Sequence, residues 1–247
     1  MVESTSQSGH RSTQRVLAVF DTLATSNGLT LADICRELKV PKSSLFPILH
    51  TMADSGYLDY DPVSMRYAIG IKAYLLAQSF KRENSVLPLI NAQMRQIVDE
   101  CGETSQVGIL ERGRVLYIDK VDSPQLVQLK SDIGKTLPFS TTAIGKALVS
   151  EMDEAEVRHM LANEHADPSS GDALLHELEE VRKTGFSYDW GETVADIRCI
   201  AVPLRRKGVI TYGLGVSTPT YRLTEAKEAT IKDALSAARE ILNRALA

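Results

Sequence analysis

The segment from Leu29 to Thr51 constrains the fold of this chain more than any other stretch. Its first half predicts a helix, because Thr30 suits the N-cap position and apolar residues then recur at helical spacing as far as Leu38. The tripeptide Lys39-Val40-Pro41 breaks that spacing, and its proline suits the first turn of a second short helix. Two short helices joined by a tight turn predict a helix-turn-helix, whose second helix fits the major groove of DNA.

The residues around this segment complete a larger pattern. Upstream, apolar residues at helical spacing from Val16 to Leu23 predict a first helix, which Asn27-Gly28 ends. Downstream, Gly56–Tyr60 and Arg66–Ile69 alternate in character around the turn Asp61-Pro62, which predicts the two strands of a hairpin. A helix-turn-helix followed by a hairpin is a winged helix. The sequence therefore predicts a winged helix-turn-helix DNA-binding domain over residues 13–76.

Charge and composition restrict the other classes of protein. The formal net charge is −4, and residues 1–74 carry as many acidic as basic side chains, so DNA affinity must depend on where the charges lie. No apolar run is long enough to span a bilayer. The polar first residues lack a signal-peptide core, so we expect residues 1–12 to be a disordered arm and the chain to be cytoplasmic. The three widely spaced cysteines favour neither a disulfide framework nor a zinc site.

The rest of the chain mixes helical and strand-like patterns. Helical spacing recurs at Ala73–Lys81, Val86–Glu100, Thr141–Met152, Glu154–Leu161, Ala173–Thr184 and Glu225–Leu246. Strand-like runs lie at Gln106–Leu110, Val115–Val121, Val127–Lys130, Cys199–Leu204 and Ile210–Ser217. Helices that flank an antiparallel sheet predict an α+β sandwich. We place the domain boundary near Ala77, so that a linker helix and a second domain occupy residues 77–247.

Short blocks of residues, taken in order, point to a known family. They include Val40-Pro41-Lys42-Ser43-Ser44, Gly56-Tyr57-Leu58, Gly134-Lys135-Thr136-Leu137-Pro138, Ala143-Ile144-Gly145-Lys146-Ala147, Arg198-Cys199-Ile200-Ala201-Val202-Pro203 and Leu214-Gly215-Val216-Ser217. With the order of elements, these blocks resemble the IclR-type transcriptional regulators over nearly the whole chain. The resemblance implies a GAF-like effector-binding domain after the winged helix. It also implies a homodimer or dimer of dimers on a palindromic operator in double-stranded DNA, controlled by a small metabolite such as a carboxylate or aldehyde.

The second helix of the helix-turn-helix supplies most of the candidate DNA contacts. Lys42, Ser43 and Ser44 fall at its N-terminal end, where free backbone N–H groups and the helix dipole favour phosphate. Phe46-Pro47 stands where the family usually has a polar or basic pair. Phe46 is either a contact to a thymine methyl or a packing residue at an interface. Arg15 and Arg66 are candidate phosphate or minor-groove contacts, with a solvated surface role as the alternative for each.

The resemblance also supplies the candidate effector pocket. Ala143 and Ile144 match positions whose backbone N–H groups meet an acidic ligand at the start of a helix, which is a favourable place for an anion. The matching polar positions are Asp189, Cys199, Gly215 and Ser217, and Ile197 matches an apolar wall.

Several of these pocket assignments have alternatives. Gly215 replaces a serine of several family members, which predicts a missing hydrogen bond and more room for the ligand. The alternative for Asp189 is an exposed loop acid, and the alternative for Ser217 is a hydroxyl at a strand end. Trp190, the only tryptophan, lines the pocket or packs in the core or at an interface.

The sequence leaves two other classes of function to compare. A GAF-like thiol redox enzyme would use Cys199 as its nucleophile, but no histidine lies near it in sequence. An architectural DNA-binding protein would bind DNA without responding to a ligand. We expect no catalytic residue, cofactor, metal or membrane partner, and we predict a ligand-responsive regulator, a repressor of a catabolic operon rather than an activator.

Overall fold

The computed structural model describes residues 10–83, 86–127, 132–164 and 170–247. The chain forms two compact units that divide after residue 84, later than the boundary we predict near Ala77. Residues 1–9 of the predicted arm lie outside the described residues. Arg11 and Ser12, which we predict to belong to the disordered arm, are part of the first helix instead. No glycine or proline interrupts this helix, so it continues outward beyond the apolar pattern.

The first unit is a winged helix-turn-helix, as predicted. Its elements are α1 (Arg11–Ala24), β1 (Leu29–Thr30), α2 (Leu31–Leu38), α3 (Lys42–Asp54), β2 (Leu58–Asp61), β3 (Arg66–Ile69) and α4 (Ile71–Glu83). The strand order β1-β3-β2 makes the wing an antiparallel sheet in which β3 is central.

Local chemistry explains why α2 and α3 form where they do. Thr30 and Asp33 make a capping box at the start of α2, which confirms the predicted N-cap. Lys39 ends α2 in the left-handed region at φ 54°, so the chain turns sharply before Pro41. Val19, Ile34 and other side chains from all three helices are fully buried together, and this shared core holds α3 against α1 and α2.

The second unit is an α+β sandwich. Its elements are α5 (Val86–Cys101), β4 (Thr104–Glu111), β5 (Arg114–Val121), β6 (Thr136–Pro138), α6 (Ala143–Val149), α7 (Glu154–Asn163), α8 (Ser170–Thr184), β7 (Ser187–Asp189), β8 (Ile197–Arg206), β9 (Val209–Pro219) and α9 (Glu225–Ala245). Within the described residues, the strands form one antiparallel sheet in the order β6-β5-β4-β9-β8-β7.

Two of these strands do not follow from the sequence pattern. β6 and β7 contain three residues each, too few for an alternation to be recognised. Of the third strand predicted at Val127–Lys130, Val127 lies outside any strand and the other three residues fall outside the described part. The helix predicted from Thr141 to Met152 is shorter, since Thr142 caps α6 by accepting a hydrogen bond from the Gly145 N–H.

The two faces of the sheet carry separate cores. On one face α5 and α9 bury alternate residues of β9, among them Leu214 and Val216. On the other face α6 packs closely, because strand glycines leave space for the side chain of Ile144. A Cβ added at Gly213 would lie only 2.8 Å from Ile144 Cγ2, and one at Gly108 only 3.1 Å from it. No helix in the described ranges is long and apolar enough to cross a membrane.

Candidate functional site

The N-terminal end of α3 presents polar side chains to solvent. The Ser44 and Leu45 N–H groups both donate to the carbonyl of Pro41, which is the N-cap of the helix. Lys42 and Ser43 are exposed and Ser44 is half-buried. None of these three side chains has a hydrogen bond or ion pair with any residue that the structure describes, so they are available to an external partner.

The outer face of α3 continues with three residues spaced four apart. Phe46 is 50% exposed, and its ring centroid lies 6.0 Å from that of His50. The Nδ1 atom of His50 lies 2.8 Å from a carboxylate oxygen of Asp54. The exposed Pro47 lies within the helix, and its carbonyl accepts a hydrogen bond of 2.9 Å from the Thr51 hydroxyl. Half of the Phe46 side chain thus remains open for a contact beyond this unit.

The two candidate arginines differ in their surroundings. Arg66 is exposed on β3, and its Nη1 donates to the carbonyl of Gly28 at 2.7 Å. This contact ties the wing to the chain before β1, a structural role that the sequence does not indicate. Arg15 is half-buried on α1 and has no hydrogen bond or ion pair within the described part of the chain.

A cavity of about 410 Å³, its open mouth included, lies between the sheet and the start of α6. All the predicted pocket residues except Trp190 line it: Ala143, Ile144, Asp189, Ile197, Cys199, Gly215 and Ser217. Residues that the sequence did not indicate complete the lining, chiefly Gln106, Tyr117, Leu137, Thr193 and Val194. The fold therefore brings together strands that are far apart in sequence around one small space.

The assignment of Trp190 to the pocket is wrong. Its ring stacks on Tyr188 at a centroid distance of 5.2 Å and an interplanar angle of 6°, and 52% of the residue is exposed. Successive side chains of β7 point to opposite faces, so Tyr188 packs on the α9 side while Asp189 faces the cavity. The Trp190 ring therefore lies on the same face of the sheet as Tyr188, away from the cavity that Asp189 lines.

Asp189 is only 2% exposed, which excludes the alternative of an exposed loop acid. Its Oδ1 accepts hydrogen bonds from the backbone N–H groups of Gly191, Glu192 and Thr193, at 2.9, 2.7 and 3.4 Å. The carboxylate thus shapes the loop that follows β7, and of the described residues that line the cavity it is the only one with a charged side chain.

Cys199 and Ser217 face each other on paired strands. The Cys199 Sγ and the Ser217 Oγ lie 3.2 Å apart, and the Gln106 amide donates to the same serine hydroxyl at 3.4 Å. Burial raises the pKa of the Cys199 thiol to about 12, helped by the nearby charge of Asp189 and opposed by the contact with Ser217. Ser217 therefore connects the two sides of a polar surface on the cavity floor.

Gly215 does not leave additional room for a ligand, contrary to our expectation. A Cβ at this position would lie 3.1 Å from both the Ala201 Cβ and the Ile144 Cγ1. The space beside Gly215 is already taken by Ile144 of α6. This glycine allows α6 to approach the sheet, and the cavity lies beside that contact.

A buried lysine holds the loop after β7 against α6. Lys146 is 1% exposed, and its Nζ lies 2.6 Å from a carboxylate oxygen of Glu192 and 2.6 Å from one of Glu177. In the same loop, the Thr193 hydroxyl donates to the carbonyl of Thr141 at 3.0 Å. The cavity wall formed by Thr193 and Val194 is thus held to α6 and to the residues just before it.

The recognition helix, α3, is exposed in the first unit, and the second unit contains a cavity lined by polar side chains. Together these features define a class of protein, the ligand-responsive regulators of transcription. Among the described residues, no group of three His, Cys, Asp or Glu side chains could hold a metal ion. Comparison with known proteins gives the family. The "Bacterial transcriptional regulator IclR C-terminal" family matches residues 81–243, and the "IclR helix-turn-helix domain" family matches residues 12–62.

Individual relatives are similar to this chain over most of its length. The HTH-type transcriptional regulator XynR of Escherichia coli is 30% identical over 97% of each chain, and KdgR of the same organism is 30% identical over 86% of this chain and 84% of its own. An IclR transcriptional regulator from Alicyclobacillus acidocaldarius has the same fold, with a TM-score of 0.84 and 23% identity over 96% of this chain and 98% of its own. The chain belongs to the IclR family of bacterial transcriptional regulators.

Proposed function

We propose that this regulator is a repressor whose affinity for operator DNA changes when a small metabolite binds in the cavity between the sheet and α6. The observation that supports it best is the polar floor of the cavity, where Ser217 contacts both Cys199 and Gln106. Relatives named as repressors, among them the acetate operon repressor of Salmonella typhimurium, favour repression of a catabolic operon. A regulator of bacterial genes acts in the cytoplasm, where we place it.

The effector that fits this cavity best is a small oxygen-bearing organic acid or carbonyl compound. Backbone N–H groups of Ala143 and Ile144 would meet its acidic end, and Cys199 and Ser217 would contact it from the sheet. Ile197 would supply an apolar wall. One structural relative, an IclR homologue from Microbacterium hydrocarbonoxydans, is described as a complex with 4-hydroxybenzoate, and it has a TM-score of 0.82 at 21% identity over 95% of this chain and 99% of its own.

On the DNA side, α3 would enter the major groove. The free side chains of Lys42, Ser43 and Ser44 suit phosphates and base edges near the helix start, and the exposed ring of Phe46 suits a thymine methyl. Arg15 and Arg66 would contact phosphates beside the groove, Arg66 with the N–H groups not used by Gly28. These contacts are few for one subunit, so we propose that two subunits bind together.

The assembly proposed is a homodimer or a dimer of dimers on a palindromic operator. Selection of bound sequences from random duplex DNA should return two inverted half-sites whose centres lie roughly one helical turn, or a multiple of it, apart. Sedimentation of the free protein at micromolar concentration should give at least a dimer. A monomer that protects a single half-site would contradict the proposal.

A further inference from the structure

Two polar side chains of the cavity keep hydrogen-bonding capacity that the contacts described above do not use. Tyr117 lies on β5, opposite Gly108 of β4, and is 9% exposed. Its hydroxyl has no hydrogen-bond partner among the residues that the structure describes, although the residue lines the cavity. Since this hydroxyl is not engaged by another side chain, it can bond to a molecule in the cavity.

Tyr117 lines the same cavity as Asp189 and Cys199, and these groups affect its ionisation. Burial raises the pKa of the phenol, and the nearby Cys199 and Asp189 raise it further. The hydroxyl therefore stays protonated at neutral pH and faces the cavity as a hydrogen-bond donor.

Gln106 is the second of these side chains. It is 2% exposed, and within the described part its amide makes one hydrogen bond, the 3.4 Å contact to Ser217. Its side-chain carbonyl accepts none. A buried amide has four hydrogen-bonding positions, so Gln106 keeps unused capacity toward the cavity.

Strand order explains why Gln106 and Tyr117 line the same cavity as Asp189, Cys199 and Ser217. The register pairs Asp189 with Cys199 and Cys199 with Ser217, which places three polar side chains in a row across β7, β8 and β9. The next strands in the sheet are β4 and then β5, which carry Gln106 and Tyr117. At the Asp189 end one carboxylate oxygen is already occupied by three backbone N–H groups. Gln106 and Tyr117 thus extend the polar lining of the cavity beyond the three residues on β7, β8 and β9.

We propose that Tyr117 and Gln106 determine the specificity of the cavity by hydrogen-bonding an oxygen substituent of the effector, a hydroxyl or carbonyl. The inference rests on the proposed function, in which this cavity holds the effector. Among the residues that the structure describes, the lining contains no basic side chain, so neutral donors would recognise that oxygen. A site that leaves buried polar groups unpaired discriminates strongly against a ligand that lacks the matching oxygen.

The test compares ligands that differ by a single hydroxyl: glycolate with acetate, lactate with propionate, and 4-hydroxybenzoate with benzoate. Titration calorimetry on the full chain measures the ratio of the two affinities in each pair. We expect the wild type to favour the hydroxylated member of at least one pair, and Tyr117→Phe, which removes only the phenolic oxygen, to reduce that ratio about five- to tenfold. Gln106→Met tests the second of these side chains without altering Tyr117 and should also reduce the ratio.

The control variant is Tyr212→Phe, because Tyr212 is similarly buried in this unit but belongs to the core on the opposite face of the sheet. It should leave every ratio unchanged. If the wild type binds the compounds without preferring a hydroxylated member, or if both variants keep the wild-type ratios, Tyr117 and Gln106 do not select the ligand, and the proposed function stands without them. If the wild type binds none of the compounds, the proposed effector cavity fails and this inference fails with it.

Discussion

Ser217 connects both halves of the polar cavity floor, since its hydroxyl contacts the Cys199 Sγ and the Gln106 amide. Ser217→Ala should remove one hydrogen bond to the effector and raise the effector concentration needed to change DNA affinity. The expected loss is about 0.5–1.5 kcal/mol of binding free energy. DNA binding without effector should stay unchanged, because Ser217 lies in the second unit and α3 lies in the first. Operator titrations with and without effector measure both quantities.

Thr218 offers a matched control for that variant. It is the next residue of β9, it is buried on the other face of the sheet, and its Oγ1 has no hydrogen-bond partner among the described residues. Thr218→Val should leave the effector response at the wild-type level. If Ser217→Ala instead abolishes effector-free operator binding and keeps effector affinity, Ser217 belongs to the framework and the cavity is misassigned.

The reactivity of the Cys199 thiol distinguishes a regulator from a thiol redox enzyme. Because burial raises the pKa of this thiol to about 12, its thiolate fraction stays very low until the pH approaches that value. At pH 8 the reactive thiolate is therefore a very small fraction of the folded molecules. We therefore expect iodoacetamide to leave Cys199 unmodified in the folded chain and to alkylate it after unfolding, as measured by mass spectrometry of peptides. Rapid alkylation of Cys199 in the folded chain at pH 8 would favour the thiol redox enzyme instead.

Lys42 is the exposed basic residue at the start of α3 and has no ion pair in the described ranges. Lys42→Ala should weaken operator binding and lower the slope of log affinity against log salt by about one unit for each phosphate that the lysine neutralises. Lys183→Ala is a suitable control, since that lysine is exposed on α8 and pairs with Glu180. Equal slopes for both variants and the wild type would remove Lys42 from the DNA contact surface.

The recognition helix departs from a regular helix at Pro47. Proline has no N–H to donate to the carbonyl four residues earlier, which belongs to Ser43, and its ring crowds that carbonyl. Pro47→Ala should therefore raise the free energy of unfolding of the first unit by about 1–3 kcal/mol. Chemical denaturation followed by circular dichroism provides the measurement. A lower stability would show that Pro47 supports the packing of α3 in a way that the missing hydrogen bond does not reveal.

The elements that the sequence predicts well are those specified by local pattern. The capping box at Thr30, the break at Lys39 and the apolar face of α3 lie within one short segment, so the local pattern is sufficient for the helix-turn-helix. The wing follows from two alternating runs around a turn. β6 and β7 have three residues each and depend on pairing with a longer neighbour, which no local pattern records.

The cavity is predicted only in part, for a reason that lies in the sheet order. Resemblance identifies Asp189, Cys199 and Ser217, which line the same space. Gln106 reaches Ser217 across a separation of 111 residues because β4 pairs with β9, and Tyr117 follows on β5. Register and strand order decide such neighbours, and neither can be read from one sequence. The error at Trp190 has the same origin, because the face of a three-residue edge strand is set by its partner.

Taken as one molecule, the chain separates the reading of DNA from the sensing of a ligand. Exposed polar groups lie on α3 in the first unit, and enclosed polar groups lie on the sheet of the second. In a regulator of this family, a ligand changes DNA affinity only to the extent that it binds the DNA-competent and DNA-incompetent states differently. The coupling must therefore appear equally in both binding equilibria.

That reciprocity provides the most direct test of ligand-controlled repression. The compound that the cavity binds most tightly is titrated into the protein alone and into its complex with the selected operator, and the operator is titrated with and without that compound. We expect the compound to weaken operator binding at least about fivefold, and the operator to weaken binding of the compound by the same factor. Operator affinity that stays constant while the cavity is saturated would contradict the central claim that this chain is a ligand-controlled repressor.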